Sequence, residues 1–407
     1  MTPSRARPGV SQANRNRRKH IAGRSAVQAD GTLRVPAVTF VIMAGGKGER
    51  LWPLVRSTMP KVCLSPDGTR SLLQATIDRL QPAWPGASWL IVTTQEQAAA
   101  VRRSLSPSLR RQVLVEPKIK NTAACIALAA VALATRQPSR VMVVVPADHW
   151  VGDVEAYQRA VRTAIQAAVA RDALATIGIR PTHAHPGLGY LCAGEPLAPL
   201  RGHAGAGTGA SARVFRLDRF IEKPSVAHAR RLIRHQRTYW NSGTFVGTAD
   251  KFLECITEWL PDHVSRLMPL ARLLKRERNG WDGPGTAAFS LRARTAYHTL
   301  KAVSFDHGVM DHLHGAIVVE GNFQWADLGS WDAWARLGRS ICRVVDVDSR
   351  NATVISQEPH LVAMVGVSDL LVIHTPTVTL VCHRDHAQAV RKVVERLSRD
   401  PSLAPYR

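Results

Sequence analysis

Within residues 38–61, Gly46, Gly48 and Arg50 follow the apolar run VTFVIM and are themselves followed by Pro53 and by Pro60 and Lys61. Glycines let backbone N–H groups approach a polyphosphate without Cβ collisions, and the two cations can neutralise charge that builds up during phosphoryl transfer. The apolar run reads as a β-strand, which puts Ala44, Gly45, Gly46, Lys47 and Gly48 at its carboxyl end, where α/β sheets bind ligands. Two other phosphate loops are excluded by single residues. A dinucleotide fingerprint requires a third glycine where Leu51 stands, and a Walker loop requires Ser or Thr where Gly48 follows Lys47. On the loop alone, a tight turn with solvated cations stays open. A further acid is placed by the run MVVVPADH, which is apolar as a central strand should be and ends in Asp148 where the strand leaves the sheet.

The elements that must hold these residues follow from periodicity. Strand-like runs at residues 89–93, 112–115, 141–145 and 173–177 alternate with Ala- and Leu-rich helical stretches, a pattern that predicts an α/β fold with a parallel sheet covered on both faces. Residues 196–212, rich in Gly, Ala and Pro, read as an enlarged surface loop. Helices are expected over residues 226–236 and 250–275. Beyond residue 337 come short β runs at 352–356, 361–365, 370–374 and 378–382 and a helix over 387–397. The expected organisation is therefore a disordered basic tail at residues 1–36, an α/β domain at 37–337 and a small β-rich domain at 338–407. No hexapeptide period of the kind that winds a long β-helix is visible.

Composition narrows the function classes. The 407 residues are 45% hydrophobic and 21% charged, as in an ordinary globular protein, and no apolar run is long enough to cross a bilayer, so no membrane partner is expected. The six cysteines lie far apart with no Cys-Xaa-Xaa-Cys pair, which suggests neither a zinc site nor a disulfide framework and fits a reducing cytoplasm. Cys63 lies close to Lys61, but packing is its expected role. The formal charge of +23 would suit a polyanion, but it is scattered arginine plus the basic tail, without an aromatic-interleaved or helix-turn-helix pattern, so nucleic acid is not an expected partner. The tail has no apolar core of a signal peptide. His383, Arg384, Asp385 and His386 resemble metal ligands by type only; their spacing favours a solvated turn.

The glycine-rich loop resembles the signature of the sugar-1-phosphate nucleotidyltransferases, and its wording LWPL is most similar to the mannose-1-phosphate guanylyltransferases, or GDP-mannose pyrophosphorylases. The likeness continues in order through EPKIKNTAACIALAA, VPADH, IGIRPTHAHPGLGY, FIEKP, WNSG, FDHGVMD and WADLGSW. It implies a Rossmann-like mixed-sheet nucleotidyltransferase domain with a small β-rich C-terminal domain. It also implies transfer of GMP from GTP to mannose 1-phosphate, with release of pyrophosphate. Residue by residue, it assigns Arg50, Lys61 and Lys223 to catalysis, and Ala44 to Gly48 with Glu116, Asn121 and Thr122 to the nucleotide. Gly189, Glu222, Asn241 and Asp306 go to the sugar phosphate, although Asp306 could instead cap a helix. Asp148 and Asp327 go to magnesium or another divalent cation, which wants carboxylate and phosphate oxygens. Two departures stand out: Lys120 replaces an arginine, and Leu188 stands where a tyrosine is common. They keep open transfer to another sugar phosphate, such as a heptose 1-phosphate, or from another nucleotide. A nucleotide-sugar-binding regulator without turnover is a further alternative. Too little chain follows residue 337 for the fused isomerase of longer relatives, and the resemblance allows a homodimer through the C-terminal region.

Overall fold

The structure is a computed structural model that describes residues 33–56, 59–66, 68–198, 212–276, 287–336, 342–356 and 358–407. Most of the expected tail, and residues 199–211 of the expected loop at 196–212, lie outside these. A nine-stranded sheet organises the chain. Its first half is β1 (Val38–Met43), β2 (Ser88–Thr94), β3 (Val113–Glu116) and β4 (Val141–Pro146), all parallel. β1, β2 and β4 are nearly continuous Val, Ile, Leu and Met because helices cover both faces. One layer is the helix Asn121–Ala134, so alanine-rich and buried that it packs closely on the sheet, and the other contains Val154–Arg171. Between β4 and that second helix lies the short strand β5 (His149–Val151), outside the main sheet.

The second half departs from the expected parallel order. β6 (Ala175–Ile179) does not join β4; the long strand β9 (Thr238–Thr248) inserts between them, antiparallel to both. β7 (Tyr190–Pro196), β8 (Val214–Ile221) and β10 (Ile317–Gly321) complete a mixed sheet, with β10 parallel to β6 and antiparallel to β8. The full order is β3-β2-β1-β4-β9-β6-β10-β8-β7. Only pairing over long sequence separations fixes this order, and a local pattern does not carry that information. The expected helix over 250–275 is broken into Ala249–Trp259, Pro261–Leu267 and Ala271–Arg276. Pro261 and Pro269 each lack the N–H that one continuous ladder needs, and the second break is the 3-10 turn Met268–Leu270.

The C-terminal strands form parallel coils. After β11 (Trp325–Asp327), β12 (Arg343–Val347) pairs with β14 (Leu361–Val365), and β13 (Thr353–Ser356) with β15 (Leu370–His374); β16 (Thr379–His383) closes the second sheet antiparallel. Arg343 pairs with Leu361 and Thr353 with Leu371, so each parallel contact is one turn of coil apart. This is a short β-helical turn, too brief to display a sequence repeat. β12 was also missed, its residues being exposed along their length. The helix Val390–Leu397, preceded by a 3-10 turn at Arg384–Ala389, packs with Ile355, Leu371 and Ile373 against Leu51, Trp52 and Trp331, so the C-terminal region shares a core with the flank of the glycine loop.

Candidate active site

Gly48 adopts φ +64°, and a Cβ there would lie 2.9 Å from Lys61 Cβ, so a side chain would be strained and would also push Lys61 away. The glycine loop and Lys61 are thereby packed as one piece. Lys61 is 5% exposed, and its ammonium donates to Asp148 Oδ2 at 2.5 Å and to Asp327 Oδ1 at 3.4 Å. Burial alone would depress this lysine, but the two carboxylates more than offset it and hold its pKa above the ordinary value. For Asp327 burial pushes upward, while Lys61, His149 and Arg50 pull the carboxyl down to about 2.

Two carboxylates from opposite ends of the catalytic region meet here because of a two-stranded ribbon. β5 begins directly after Asp148 and pairs antiparallel with β11, which sets Asp327 opposite His149. The His149 Nε2 lies 3.8 Å from Asp148 and 4.0 Å from Asp327, and burial lowers its pKa against the pull of the two carboxylates. His149 escaped the sequence reading although it follows Asp148 in VPADH. Arg50 reaches the same place: its guanidinium lies 2.9 Å from where a Gly329 Cβ would stand, close to Asp327, and it donates to Gln388 Oε1 at 3.2 Å.

The residues assigned to the sugar phosphate also come together. Asn241 Nδ2 donates to Asp306 Oδ1 at 2.8 Å, while Asn241 Oδ1 accepts from Thr176 Oγ1 at 3.0 Å. Gly189 contributes no side chain to this space, and a Cβ there would come 2.7 Å from Glu222 Oε2. Glu222 bonds the exposed ammonium of Lys223, a residue held at φ +45°. Burial, with the Glu222 carboxylate nearby, pushes the Asp306 carboxyl up to about 7. The helix-capping alternative for Asp306 does not hold, because Ser304 caps that turn by accepting from His307 N.

The residues assigned to the base divide. Glu116 is buried beside Gly45 and accepts from Tyr297 Oη at 3.0 Å; burial lifts its carboxyl to about 8 against that bond. Tyr297, on the helix Ala287–Thr299, carried no motif and was not anticipated. Asn121 turns its Oδ1 to its neighbour Thr122 N, and Thr122 Oγ1 accepts from Phe305 N at 2.8 Å, tying this segment to the Asp306 turn. Lys120 donates to Leu300 O at 2.5 Å and His298 O at 3.3 Å, so it closes the end of the Tyr297 helix. His383 accepts from Asp385 N and Arg384 bonds Asn351 O, a built turn as expected from their spacing. None of the six cysteines is in a disulfide, and no helix among the described residues is long and apolar enough to cross a membrane.

Asp148 and Asp327 supply hard oxygens facing one point, which suits a divalent cation whose remaining ligands are substrate phosphates and water. No group of three or more His, Cys, Asp or Glu among the described residues is arranged to hold a metal by protein alone. The donor set therefore fits a divalent cation shared with a substrate and not a structural cage.

A glycine loop, a buried lysine and two converging carboxylates meet on this sheet, and comparison with known proteins shows which family carries such a domain. The nucleotidyl transferase family profile matches residues 39–343, and a mannose-phosphate isomerase/GMP-like β-helix domain matches residues 342–397. The chain belongs to the nucleotidyltransferase family. It is 33% identical over 369 residues to the xanthan biosynthesis protein XanB of Xanthomonas campestris pv. campestris (strain B100), covering 88% of this chain and 72% of that protein. It is 32% identical over 371 residues to the mannose-1-phosphate guanylyltransferase of Escherichia coli (strain K12), covering 88% and 73%. A crystal structure of a Thermus thermophilus protein described as a mannose-1-phosphate geranyltransferase superposes with a TM-score of 0.72 at 33% identity, over 89% of this chain and 99% of that one.

Proposed function

We propose that the protein is a mannose-1-phosphate guanylyltransferase. The observation that carries this reading is the meeting of Asp148 and Asp327 on Lys61 beneath the glycine loop, with Glu222, Asn241 and Asp306 forming a separate polar wall. In the reaction an oxygen of mannose 1-phosphate forms a bond to the α-phosphorus of GTP. The bond from that phosphorus to the α,β-bridging oxygen breaks, and its electron pair leaves on pyrophosphate. Both reactants are anions, so the main work is to bring them together and to stabilise the leaving group.

Arg50 and Lys61 would meet the triphosphate. Lys61 also holds both carboxylates at fixed separation, so its role is positional as well as electrostatic. Ala44 to Gly48 would cradle the phosphates through the backbone, and Glu116 would meet the base, with Asn121 and Thr122 setting the adjoining segment. Lys223 is the cation for the sugar phosphate, a compact point charge on an exposed side chain. Gly189, Glu222, Asn241 and Asp306 would read sugar hydroxyls. Asp148 and Asp327 would hold the magnesium, which when bound neutralises phosphate charge.

The two sequence matches support dividing the chain into a catalytic unit over residues 37–337 and a β-rich unit over 338–407. The same reading carries the cytoplasm as compartment. It also carries a homodimer through the C-terminal strands, where Val344, Val345, Leu361 and Val365 are exposed. The test is pyrophosphate release by the purified chain across a panel of nucleoside triphosphates and sugar 1-phosphates, with and without magnesium. GTP with mannose 1-phosphate should give the highest kcat/KM, and only with the cation. A clear preference for another pair would replace the substrate assignment, and no release with any pair would favour a binding protein without turnover.

A further inference from the structure

Thr94 ends β2 and Glu116 ends β3, and the two are register partners in that parallel pair, so their side chains share a face. Gly45 lies against it: a Cβ there would come 3.3 Å from Thr94 Cγ2 and 3.8 Å from Glu116 Oε2. Gln97 closes the turn after β2, its backbone N–H donating to Thr94 O at 3.1 Å, and its Nε2 donates to Gly46 O at 2.9 Å. Thr94 is 2% exposed and Gln97 9%, yet Thr94 Oγ1 and Gln97 Oε1 have no hydrogen-bond partner among the described residues.

Buried polar atoms are nearly always paired, because an unpaired one forfeits its hydration without return. Two orphans within one turn, both against the phosphate-loop glycines, therefore need a reason. Poor local packing is not that reason, since Thr93, one residue earlier, donates its hydroxyl to Ala44 O at 2.7 Å. Nor is the amide orientation of Gln97 in question. Reversing it would set oxygen against the Gly46 carbonyl and leave the amide nitrogen as the orphan.

We propose that Thr94 and Gln97 read the base of the nucleoside triphosphate, with the edge of a guanine completing their hydrogen bonds. This rests on the guanylyltransferase reading above and adds two specificity residues that no motif singled out. The chemistry matches on each side. Gln97 Oε1 can only accept, and guanine presents the N1–H and 2-amino donors on one edge, while the Thr94 hydroxyl can donate or accept beside the Glu116 carboxyl. The Gln97 amide would then couple base to phosphates, one end on guanine and the other on the Gly46 carbonyl.

The experiment compares full-length wild type, Thr94→Val and Gln97→Met in calorimetric binding of GTP, ITP and ATP, with thermal melting in the absence of nucleotide. ITP lacks the 2-amino group, so wild type should bind GTP better than ITP, and ATP least well. Thr94→Val should weaken GTP by about 5- to 10-fold, the scale of one lost hydrogen bond, while melting no lower than wild type because the substitution removes an unpartnered hydroxyl. Gln97→Met should bring GTP and ITP to within about 2-fold of each other. Unchanged GTP affinity in both variants, or an equal loss for all three nucleotides, would overturn the inference while leaving the guanylyltransferase reading intact. A wild type that binds GTP no better than ATP would overturn both.

Discussion

Two pairs of carboxylates line the candidate site, and one acid of each is shifted, the two in opposite directions. Between Asp148 and Asp327 sits a buried ammonium, that of Lys61, and the Asp327 carboxyl is drawn down to about 2. Beside Glu222 and Asp306 the nearest ammonium, that of Lys223, is at the surface, and the Asp306 carboxyl is pushed up to about 7. Both pairs are carboxylates in a polar pocket; what separates Asp327 from Asp306 is that a buried cation offsets the cost of burial in the first and a surface cation does not in the second. A cation buried beside Asp327 is poorly screened and keeps that carboxyl charged, as a site for a metal and polyphosphate requires, whereas a cation left in water offsets little of the burial cost. An acid kept protonated near neutrality can both donate and accept, which suits sugar hydroxyls.

The sharpest way to break the contrast is to remove the buried ammonium. Lys61→Ala should lower turnover by at least about 100-fold, in line with loss of a transition-state charge contact, and Asp148→Asn should do the same. Pyrophosphate release under saturating substrates is the measurement, and near-normal rates in both variants would sink the assignment of roles. A smaller effect is expected across the site. Gly189→Ala would place a methyl 2.7 Å from Glu222 Oε2, displacing that carboxylate. The KM for the sugar phosphate should rise by roughly 10-fold, a loss of the order of one charged hydrogen bond, with the KM for GTP unchanged. Equal changes in both KM values would mean that Gly189 shapes the whole site.

The raised acid makes a prediction about stability. Asp306 binds its proton more tightly in the folded chain than its ordinary value of 3.8 allows, so the unfolded chain ionises first as pH rises. Its contribution to stability is therefore fully present below that value and is lost progressively as pH rises to about 7. Asp306→Asn keeps an oxygen able to accept from Asn241 but has no proton to lose. Thermal melts should show the variant gaining on wild type between about pH 4 and pH 7, with no further gain above. Parallel curves for the two proteins across that window would refute the shift.

Much of this was legible before the fold was known, and the parts that were not share a cause. The glycine loop, VPADH and the strand runs β1 to β4 are local patterns: continuous apolar runs, a turn chemistry and a charge where a strand ends. The order of β6, β9 and β10 was not legible, nor was the β5–β11 ribbon that sets Asp327 opposite His149, because pairing across long stretches of chain leaves no local signature. Resemblance named Asp327; only the ribbon explains how it arrives. Tyr297 and the role of Lys120 fell outside the reading for the same reason, each acting through a partner remote in the chain. The C-terminal coil was hidden differently, since a single short turn of β-helix cannot display a repeat.

The smallest effect tests whether that coil belongs to the catalytic region at all. Gln388 lies in the turn before the last long helix, and its Oε1 accepts from Arg50 Nη1 at 3.2 Å, while Trp52 Nε1 donates to Tyr406 O at 2.7 Å and Arg56 to Thr377 Oγ1 at 2.7 Å. Three residues flanking one side of the glycine loop are thus held from the C-terminal region. The Gln388 contact is solvent-exposed, so its removal should cost little stability and act only through where the guanidinium of Arg50 points. Gln388→Ala should lower kcat by about 3-fold, roughly one weak hydrogen bond, with melting temperature and both KM values unchanged. An unaltered kcat would show that Asp327 alone orients Arg50 and that the coil is a buttress for Trp52 and nothing more.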